Sequence, residues 1–231
     1  ENVVFSALGL VITDEQHRFG VKQRQALESK GKSPHVLIMT ATPIPRTMAL
    51  SVYGDLDVSF IKGMPPGRHP VKTYVVGSHM LQRIFRFMKK EMESGHQAYV
   101  VCPLVEQSEK QDLAAAVSVY ENLRDHVFPQ FGVGLVHGRM KNAEKEQVME
   151  DFRKGKFKLL VATSVIEVGV NVPDATVMFV YGADRFGLSQ LHQLRGRVGR
   201  GKEQAYCVLY TDNQNETTQL RMKLMCEIRD G

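Results

Sequence analysis

The stretch QLHQLRGRVGR, residues 190–200, places Arg197 and Arg200 three positions apart on a predicted helix. Gln193 lies one helical turn before Arg197, so the three side chains can share one face. Arginine stays charged and offers a planar fork of donors, which suits phosphate oxygens in flight between a nucleophile and a leaving group. A pair of arginines supplied to a nucleotide that is held elsewhere forms an arginine finger. The stretch therefore predicts a function that depends on a nucleotide.

Two glycines, Gly196 and Gly199, interrupt the same predicted helix. Because glycine has no side chain, a phosphate or another backbone can come close to the arginine face. The alternative interpretation is a basic helix face in solvent, which is the common fate of a run of charges. Two glycines would cost a merely solvated helix about 1 kcal/mol each. The phosphate-binding interpretation is therefore favoured.

The pattern Q-x-x-G-R-x-G-R at residues 193–200 resembles motif six of the second helicase superfamily. The flanking residues 186–189 and Gly201 resemble the RecG family of bacterial DNA helicases in particular. This resemblance implies an ATP-dependent motor with ATP and Mg²⁺ as cofactors. It also assigns catalytic roles to three side chains and a nucleotide contact to one glycine: Gln193, Arg197 and Arg200, and Gly196.

The composition is ordinary for a globular protein, with 43% hydrophobic and 24% charged residues among 231. No apolar run approaches the roughly twenty residues of a membrane span. The N-terminus lacks a signal peptide and an initiating methionine, so a fragment of a longer protein is expected. Three widely spaced cysteines suit a reducing cytoplasm rather than a disulfide scaffold. The net charge of +5 permits an anionic partner such as nucleic acid.

An apolar run over residues 8–13 predicts a strand buried on both faces, and it ends in DEQH. Carboxylates at the carboxyl end of a parallel strand lie where open α/β sheets bind ligands. Asp14 is placed to hold Mg²⁺ through water, and Glu15 to orient or deprotonate an attacking water. The alternative for Asp14 is a helix cap, since residues 19–30 are predicted helical. DEQH resembles helicase motif two, which implies a coupling role for His17.

A second buried strand is predicted over residues 35–40, and it leads into TATPIPRT. This octapeptide resembles motif three, which in the superfamily links the nucleotide site to the nucleic-acid track. The hydroxyls of Thr40 and Thr42 can hydrogen-bond neighbouring catalytic groups, so both are predicted coupling residues. The prolines stiffen the turn, and a plain capped turn is the alternative interpretation.

The tripeptide Gly31-Lys32-Ser33 resembles the end of a phosphate-binding loop but is rejected as one. Such a loop reads G-x-x-x-x-G-K-[ST], follows a strand and opens a helix. Here Ala26 stands at the first glycine position, and Pro34 leads from the tripeptide into a strand. A polar turn is predicted instead. Without a phosphate loop, the 231 residues alone are predicted not to hydrolyse ATP at a useful rate.

Three prolines and two glycines over residues 63–70 predict a linker. Residues 1–62, with a strand over 56–61, are predicted to be the C-terminal part of a first RecA-like domain, and residues 71–231 a second such domain. After the linker, strands and helices alternate, which predicts an α/β fold with a parallel sheet flanked by helices. Predicted strands cover residues 71–76, 98–104, 133–136, 158–162, 176–180 and 205–210, and predicted helices cover 78–93, 112–126, 142–154, 188–198 and 216–228.

Two loops at strand ends of the second domain resemble nucleic-acid contacts. GLVHGRM resembles a RecG loop in which the backbone amides, His137 and Arg139 could grip a DNA phosphate, although a structural histidine is nearly as well supported. Thr163 and Ser164 open a stretch that resembles motif five, which implies contact with the DNA backbone.

Further assignments concern the rest of motif five, Cys102 and residues 181–184. By resemblance, Gly169 and Asn171 contact the nucleotide, and the role of Asn171 stays open because many relatives place Asp there. Cys102 is predicted to be a buried small hydrophobe rather than a nucleophile. Residues 181–184 depart from the acidic tetrapeptide of relatives, which is interpreted as neutral change.

Five motifs in order imply a translocase on branched or double-stranded DNA that remodels stalled forks and Holliday junctions. Single-stranded DNA-binding protein is considered as a further partner. Two alternatives stay open: the transcription-repair coupling factor Mfd, and a passive nucleic-acid-binding module. His17, Arg139, Gly201 and residues 102–104 favour the RecG family over Mfd. The front strands are predicted to expose apolar faces, which would favour self-association or disorder.

Overall fold

The chain divides into two compact units, Glu1–Ile61 together with Gly231, and Lys62–Asp230. The assignment of the linker to residues 63–70 stays a prediction. The computed structural model describes residues 3–14, 26, 29–40, 57–59, 61, 69–103, 109–163 and 172–227.

The first unit contains two parallel strands, β1 (Leu10–Thr13) and β2 (His35–Ile38). Val11 and Thr13 are buried, whereas Leu10 and Ile12 are 52% and 55% exposed. The prediction of burial on both faces is therefore wrong for β1, because successive side chains of a strand point to opposite faces and only one face is covered. The predicted exposure of apolar side chains in the front strands is confirmed, and self-association stays a prediction.

The segment before β2 is a turn, as predicted for the glycine-lysine-serine tripeptide. Residues 29–33 form turns and bends, Ser33 has a left-handed φ of 54°, and Pro34 leads directly into β2. Lys32 therefore does not open a helix, which confirms that it is no phosphate-loop lysine. Residues 57–59 and 61 form no strand, so the strand predicted over 56–61 is wrong at those positions.

The second unit is built on a sheet of six parallel strands in the order β3-β8-β7-β4-β6-β5. The predicted α/β fold with a parallel sheet is confirmed. All six strands lie within two residues of their predicted ends. Their bounds are β3 Lys72–Val76, β4 Gln97–Cys102, β5 Val133–Val136, β6 Leu159–Thr163, β7 Ala175–Val180 and β8 Tyr206–Tyr210.

Helices cover both faces of this sheet, as the alternation of elements predicts. α1 and α2 pack on one face through Met88, Met92 and Ala116, and the other helices pack on the opposite face through residues such as Phe152 and Leu191. The bounds are α1 Leu81–Glu93, α2 Glu109–Asn122, α3 Asn142–Arg153, α4 Leu188–Arg195 and α5 Glu216–Glu227. Within the described residues, no helix is both long and apolar enough to span a membrane.

The central strands β4, β6 and β7 are buried along their whole length, because helices cover both of their faces. One polar side chain enters this core. The Gln97 amide donates hydrogen bonds to the carbonyl oxygens of Phe152, at 2.6 Å, and Phe157, at 2.8 Å. The buried amide is thereby satisfied, and it ties the end of α3 to the start of β4.

Candidate functional site

The arginine stretch, residues 190–200, runs from within helix α4 to beyond its end. α4 stops at Arg195 rather than at the predicted residue 198, and the Arg197 N–H donates to the Leu194 carbonyl at 3.0 Å in a tight turn. The prediction that Arg197 and Arg200 lie on the helix is therefore wrong. Gly196 is the C-terminal cap of α4 and keeps a right-handed backbone conformation.

The two glycines of the stretch have different roles. Gly199 has a φ of 72°, and a Cβ there would lie 3.1 Å from Val71 Cγ2 and 3.2 Å from Ala205 Cβ. Only glycine suits that backbone and that close approach. Gly196 has a φ of −69° and space for a Cβ, so its conformation does not require glycine. The tight turn at Gly199 brings the arginines beside the start of the sheet.

Arg197 and Arg200 both lie near Tyr99 of β4, although no helix joins them. Both arginines are half-buried. Burial raises the pKa of Tyr99 to about 12, and the positive charges of Arg200 and Arg197 oppose that rise. Gln193 is half-buried in the last turn of α4, before both arginines. The arrangement offers two fixed cations to an anion.

A third arginine, Arg195, was not among the predicted site residues. Its side chain is buried and donates to the Met225 carbonyl oxygen, at 2.9 Å, and to His192 Nδ1, at 3.0 Å. Because Nδ1 accepts, His192 is neutral, and burial together with Arg195 lowers the pKa of His192. Arg195 therefore fastens α4 to α5 and fixes the place from which the other arginines project.

A sequence signal for Arg195 existed. It lies four residues after Leu191, which is buried, so helical spacing puts it on the buried face. A charged residue at such a position requires a partner, because an unpaired buried charge is strongly unfavourable. The predicted phosphate-binding role of its neighbours obscured this structural one.

The loop before α4 is held by hydrogen bonds from β8 and α5. Asp184 accepts from the Thr211 hydroxyl at 2.7 Å and from the Asn213 amide at 3.2 Å. Arg221 of α5 donates to the carbonyl oxygens of Asp184, at 2.6 Å, and Phe186, at 3.4 Å. Residues 181–184 differ from the acidic tetrapeptide of relatives, but they keep a structural role, because Asp184 anchors the loop.

The same loop is tied to the opposite face of the sheet by a carboxylate. Arg185 donates to both oxygens of the buried Asp112 side chain, at 2.9 and 3.1 Å. Cys102 nearby in the sheet is buried, and burial raises the pKa of its thiol to about 12. The prediction that Cys102 is a buried small hydrophobe is confirmed, since a thiol with so high a pKa is a poor nucleophile.

The histidine loop follows β5 at the carboxyl edge of the sheet. The His137 N–H points at Met140 Sδ at 3.4 Å, and the Met140 N–H donates to the His137 carbonyl at 3.2 Å. Lys145 donates from Nζ to the Gly138 carbonyl at 2.9 Å. Arg139 is exposed at the tip of the loop. These contacts lie within a short segment of the chain and leave the tip accessible.

Two unsatisfied polar atoms lie at this edge. His137 Nδ1 and Thr163 Oγ1 are buried and have no hydrogen-bond partner among the described residues. Val136 is paired with Ala162 across β5 and β6, so His137 and Thr163 follow in adjacent positions. Burial first, and then the charges of Lys145 and Arg139, lower the pKa of His137, so at neutral pH its ring is uncharged.

Other predicted site residues lie in the first unit or outside the described residues. Asp14 and Thr40 are exposed at the same edge of the β1–β2 pair, where the Met39 N–H donates to the Thr13 carbonyl at 2.8 Å. Within the described part of the chain, no three metal-binding side chains cluster. Six predicted residues lie outside the described part: Glu15, His17, Thr42, Ser164, Gly169 and Asn171.

The sequence matches known proteins over its whole length. The family model of the helicase conserved C-terminal domain matches residues 78–202. An ATP-dependent DNA helicase RecG of Bacillus subtilis (strain 168) is 55% identical over 231 residues, which cover 100% of this chain and 34% of that protein. An ATP-dependent DNA helicase RecG of Staphylococcus epidermidis is 53% identical over 232 positions, with the same two coverages. The chain therefore spans about a third of the length of these relatives.

A solved structure has the same fold. The structure of RecG bound to a three-way DNA junction is 45% identical, with a TM-score of 0.80, and covers 100% of this chain and 29% of that one. The predicted RecA-like fold and the resemblance to the RecG family are confirmed by this match. The relatives also favour that family over the coupling factor Mfd.

Proposed function

Because this chain belongs to the helicase conserved C-terminal domain family, we propose that it forms part of the motor of an ATP-dependent DNA helicase of the RecG kind. The observation that carries the proposal is the position of Arg197 and Arg200 directly after the end of α4, which Arg195 anchors to α5. The resemblance to RecG over all 231 residues supports it. Residues 1–62 would belong to a first motor domain and residues 71–231 to a second, joined by the linker at 63–70. The proposed localisation is cytoplasmic.

The arginine pair would act on the phosphates of ATP bound by the rest of the motor. Negative charge builds up on the transferring phosphoryl group, and fixed cations stabilise it without having to reorganise. Arg197 and Arg200 meet this need because the Gly199 turn and Arg195 hold their backbone. Gln193, in the last turn of α4, would contribute an amide, and the exposed backbone at Gly196 would contact the nucleotide.

The first unit would supply the metal ligand and the base. Asp14 has an exposed carboxylate at the carboxyl end of a parallel strand, which fits a Mg²⁺ ion held through water. Glu15 would orient or deprotonate the attacking water. Gly169 and Asn171 would contact the nucleotide from motif five. When bound, ATP with Mg²⁺ supplies the phosphoanhydride bond whose hydrolysis drives movement.

The carboxyl edge of the six-stranded sheet would bind DNA. Arg139 is exposed at the tip of the histidine loop, and Lys145 lies beside it. Both are cations that can contact phosphates, which is how proteins gain affinity for any DNA sequence. Neutral His137 would contribute a hydrogen bond rather than a charge. Thr163 and Ser164 would add hydroxyl contacts to the backbone.

Movement would follow from coupling between the two sites. Thr40, Thr42 and His17 are proposed to link the nucleotide to the DNA track in the first unit. In the second unit, β6 ends at the carboxyl edge, and β7 starts beside the arginine stretch. The chain between these two strands would carry a change at the nucleotide to the DNA contacts, which is the gating role expected of a motor.

The proposed substrate is branched or double-stranded DNA, including stalled forks and Holliday junctions. The solved RecG structure is bound to a three-way DNA junction, which supports branched DNA as the partner. Single-stranded DNA-binding protein is proposed as a further partner. The chain by itself is expected to lack ATP turnover.

The test is a chimera in which this chain replaces the matching residues of the Bacillus subtilis relative. We expect DNA-stimulated ATP hydrolysis by the chimera, none by the 231 residues alone, and none by the chimera carrying Glu15→Gln. A folded chimera that binds DNA but does not hydrolyse ATP would overturn the proposed function. Turnover by the chain alone, lost in Glu15→Gln, would overturn the rejection of Lys32.

A further inference from the structure

Helix α1 carries a row of three exposed cations, Arg83, Arg86 and Lys90, which are called here the α1 cation row. With 3.6 residues per turn, the three side chains fall within an arc of about 60° on the helix surface. Met88 and Met92 are buried and project from the opposite side. The row therefore points straight away from the sheet.

The acidic residues of α1 do not neutralise this row. Glu91 accepts from the Thr176 hydroxyl at 2.9 Å and lies 3.0 Å from His96 Nδ1, so it is directed toward the sheet. Glu93 is paired with Lys89 at 3.9 Å on the flank of the helix. Among the described residues, no hydrogen bond or ion pair reaches the side chains of the α1 cation row.

An exposed aromatic ring lies on the same face of the sheet. Tyr74 of the edge strand β3 is 49% exposed, and it is two residues before Val76, which packs on the α1 side. Burial first, and then Glu91 and Tyr74, raise the pKa of Tyr206. The Tyr206 ring lies 4.9 Å from the Phe87 ring of α1. Arg83 is one turn before Phe87, so cations and an aromatic side chain share this surface.

We propose that the α1 cation row is a second DNA-binding surface, which holds the phosphate backbone of a double-stranded arm away from the motif loops. From Arg83 to Lys90 the helix rises by about 10 Å. Double-stranded DNA carries one negative charge per about 1.7 Å of helix axis, so a duplex presents several phosphate charges over that length. This dense, fixed array of negative charge complements three cations on one helix face, whereas an acidic peptide has no fixed array.

This surface has a use beyond the proposed function, on which it rests. The motif loops must release the DNA in each cycle, and a separate contact on the outer face of α1 would keep the arm bound meanwhile. Contacts to phosphates add affinity that does not depend on base sequence, as a motor that moves along DNA requires. The surface lies outside every helicase motif of the chain.

The test variant is Arg83→Gln, Arg86→Gln and Lys90→Gln together, made in the chimera described above. The matched control removes three paired surface charges instead: Lys89→Gln, Lys154→Gln and Lys223→Gln, whose partners are Glu93, Glu150 and Glu227. All six side chains are exposed, so neither variant should lose its fold. Duplex DNA affinity is measured by fluorescence anisotropy over a range of salt concentrations, and ATP turnover at saturating DNA.

We expect the test variant to bind duplex DNA roughly tenfold or more weakly at low salt, with the slope of log affinity against log salt reduced by about 2 to 3. Turnover at saturating DNA should not change, and the control should keep the unmodified slope. The inference is overturned if the two variants lose slope equally, or if the test variant binds like unmodified chimera. It is also overturned if the test variant loses affinity for polyglutamate while its salt slope for duplex DNA is unchanged. Failure of the unmodified chimera to hydrolyse ATP instead rejects the proposed function.

Discussion

The two ends of the six-stranded sheet hold their charged groups in opposite ways. Beside the start of β7, the arginine stretch is fixed by buried contacts: Arg195 donates to the Met225 carbonyl, and Gly199 is packed against Val71. At the carboxyl edge, the histidine loop is held by contacts within a few residues, and Arg139 is exposed at its tip. The first site, called here the rigid end, is half-buried and has a fixed backbone. The second, called here the open end, is exposed and is held only by contacts within its own segment of the chain.

This difference matches two kinds of work. A cation that stabilises a transition state must already be in position, because reorganisation would raise the barrier. A cation that binds a DNA backbone needs only to be near phosphates and to exchange them readily. The rigid end therefore suits chemistry on a nucleotide, and the open end suits a moving track.

The largest effect is expected from Arg200→Ala at the rigid end. In the chimera, we expect kcat for ATP hydrolysis to fall by about a thousandfold, because an arginine finger contributes about that much. The affinity for duplex DNA should stay within about twofold, since the proposed DNA contacts lie at the far end of the sheet. Steady-state turnover and fluorescence anisotropy measure the two quantities. Arg153→Ala, which removes an exposed arginine paired with Glu150, is the control and should change neither.

Arg195→Met tests what makes that end rigid. The substitution keeps an apolar stem but leaves the Met225 carbonyl and His192 without their donor. Hydrogen bonds from a charged donor contribute about 1.5 to 3 kcal/mol each, so loss of the two should lower the unfolding free energy by about 3 kcal/mol or more. Urea unfolding of the 231-residue chain measures it, with Arg153→Met as the exposed control. Equal midpoints for the two variants would show that Arg195 does not anchor the helix.

Arg139→Ala tests the open end. We expect duplex DNA to bind several-fold more weakly in the chimera, with the salt slope reduced by about 1, because one phosphate contact is lost. The kcat at saturating DNA should be unchanged. Salt titrations of anisotropy measure the slope, and Lys223→Gln, which removes a cation paired with Glu227, controls for net charge. A loss of kcat without a loss of affinity would contradict the division of work between the ends.

The smallest effect concerns pH at the rigid end. Burial and Arg195 lower the pKa of His192, so the unfolded chain takes up a proton more readily than the folded chain. His192 therefore contributes stability at neutral pH that is lost as the pH falls from the ordinary histidine range toward its lowered folded pKa. Since His192→Gln cannot titrate, its unfolding free energy should fall less between about pH 7.5 and 5. The urea unfolding midpoints of the unmodified chain and of His192→Gln are measured at both pH values. Equal losses of stability in the two proteins would contradict this role of His192.

The six-stranded sheet could be predicted because its strands are short apolar runs at regular spacing. Val100 and Val161 lie in such runs, and a strand covered on both faces needs no alternation. The same reasoning failed for β1. Leu10 and Ile12 belong to an equally apolar run, but burial depends on what covers each face, and that cannot be read from the run itself.

The residues of the arginine site were predicted, but their position beyond the end of the helix was not. Arg197 and Arg200 were identified by type and spacing, whereas their position beyond the helix follows from the cap at Gly196 and the left-handed turn at Gly199. The interpretation from helical spacing did not include the end of the helix before Gly196. The anchoring role of Arg195 depends on the Met225 carbonyl, thirty residues away in sequence, and no local pattern predicts that contact.

The central claim is that Arg197 and Arg200 act on a phosphoryl group in transfer. The most direct test compares the affinity of the chimera for ADP with its affinity for ADP and aluminium fluoride, which together mimic that group. We predict that Arg200→Ala weakens binding of the mimic at least tenfold and leaves ADP binding unchanged, whereas Arg139→Ala changes neither. Equal affinity of the Arg200→Ala variant and the unmodified chimera for the mimic would contradict the account.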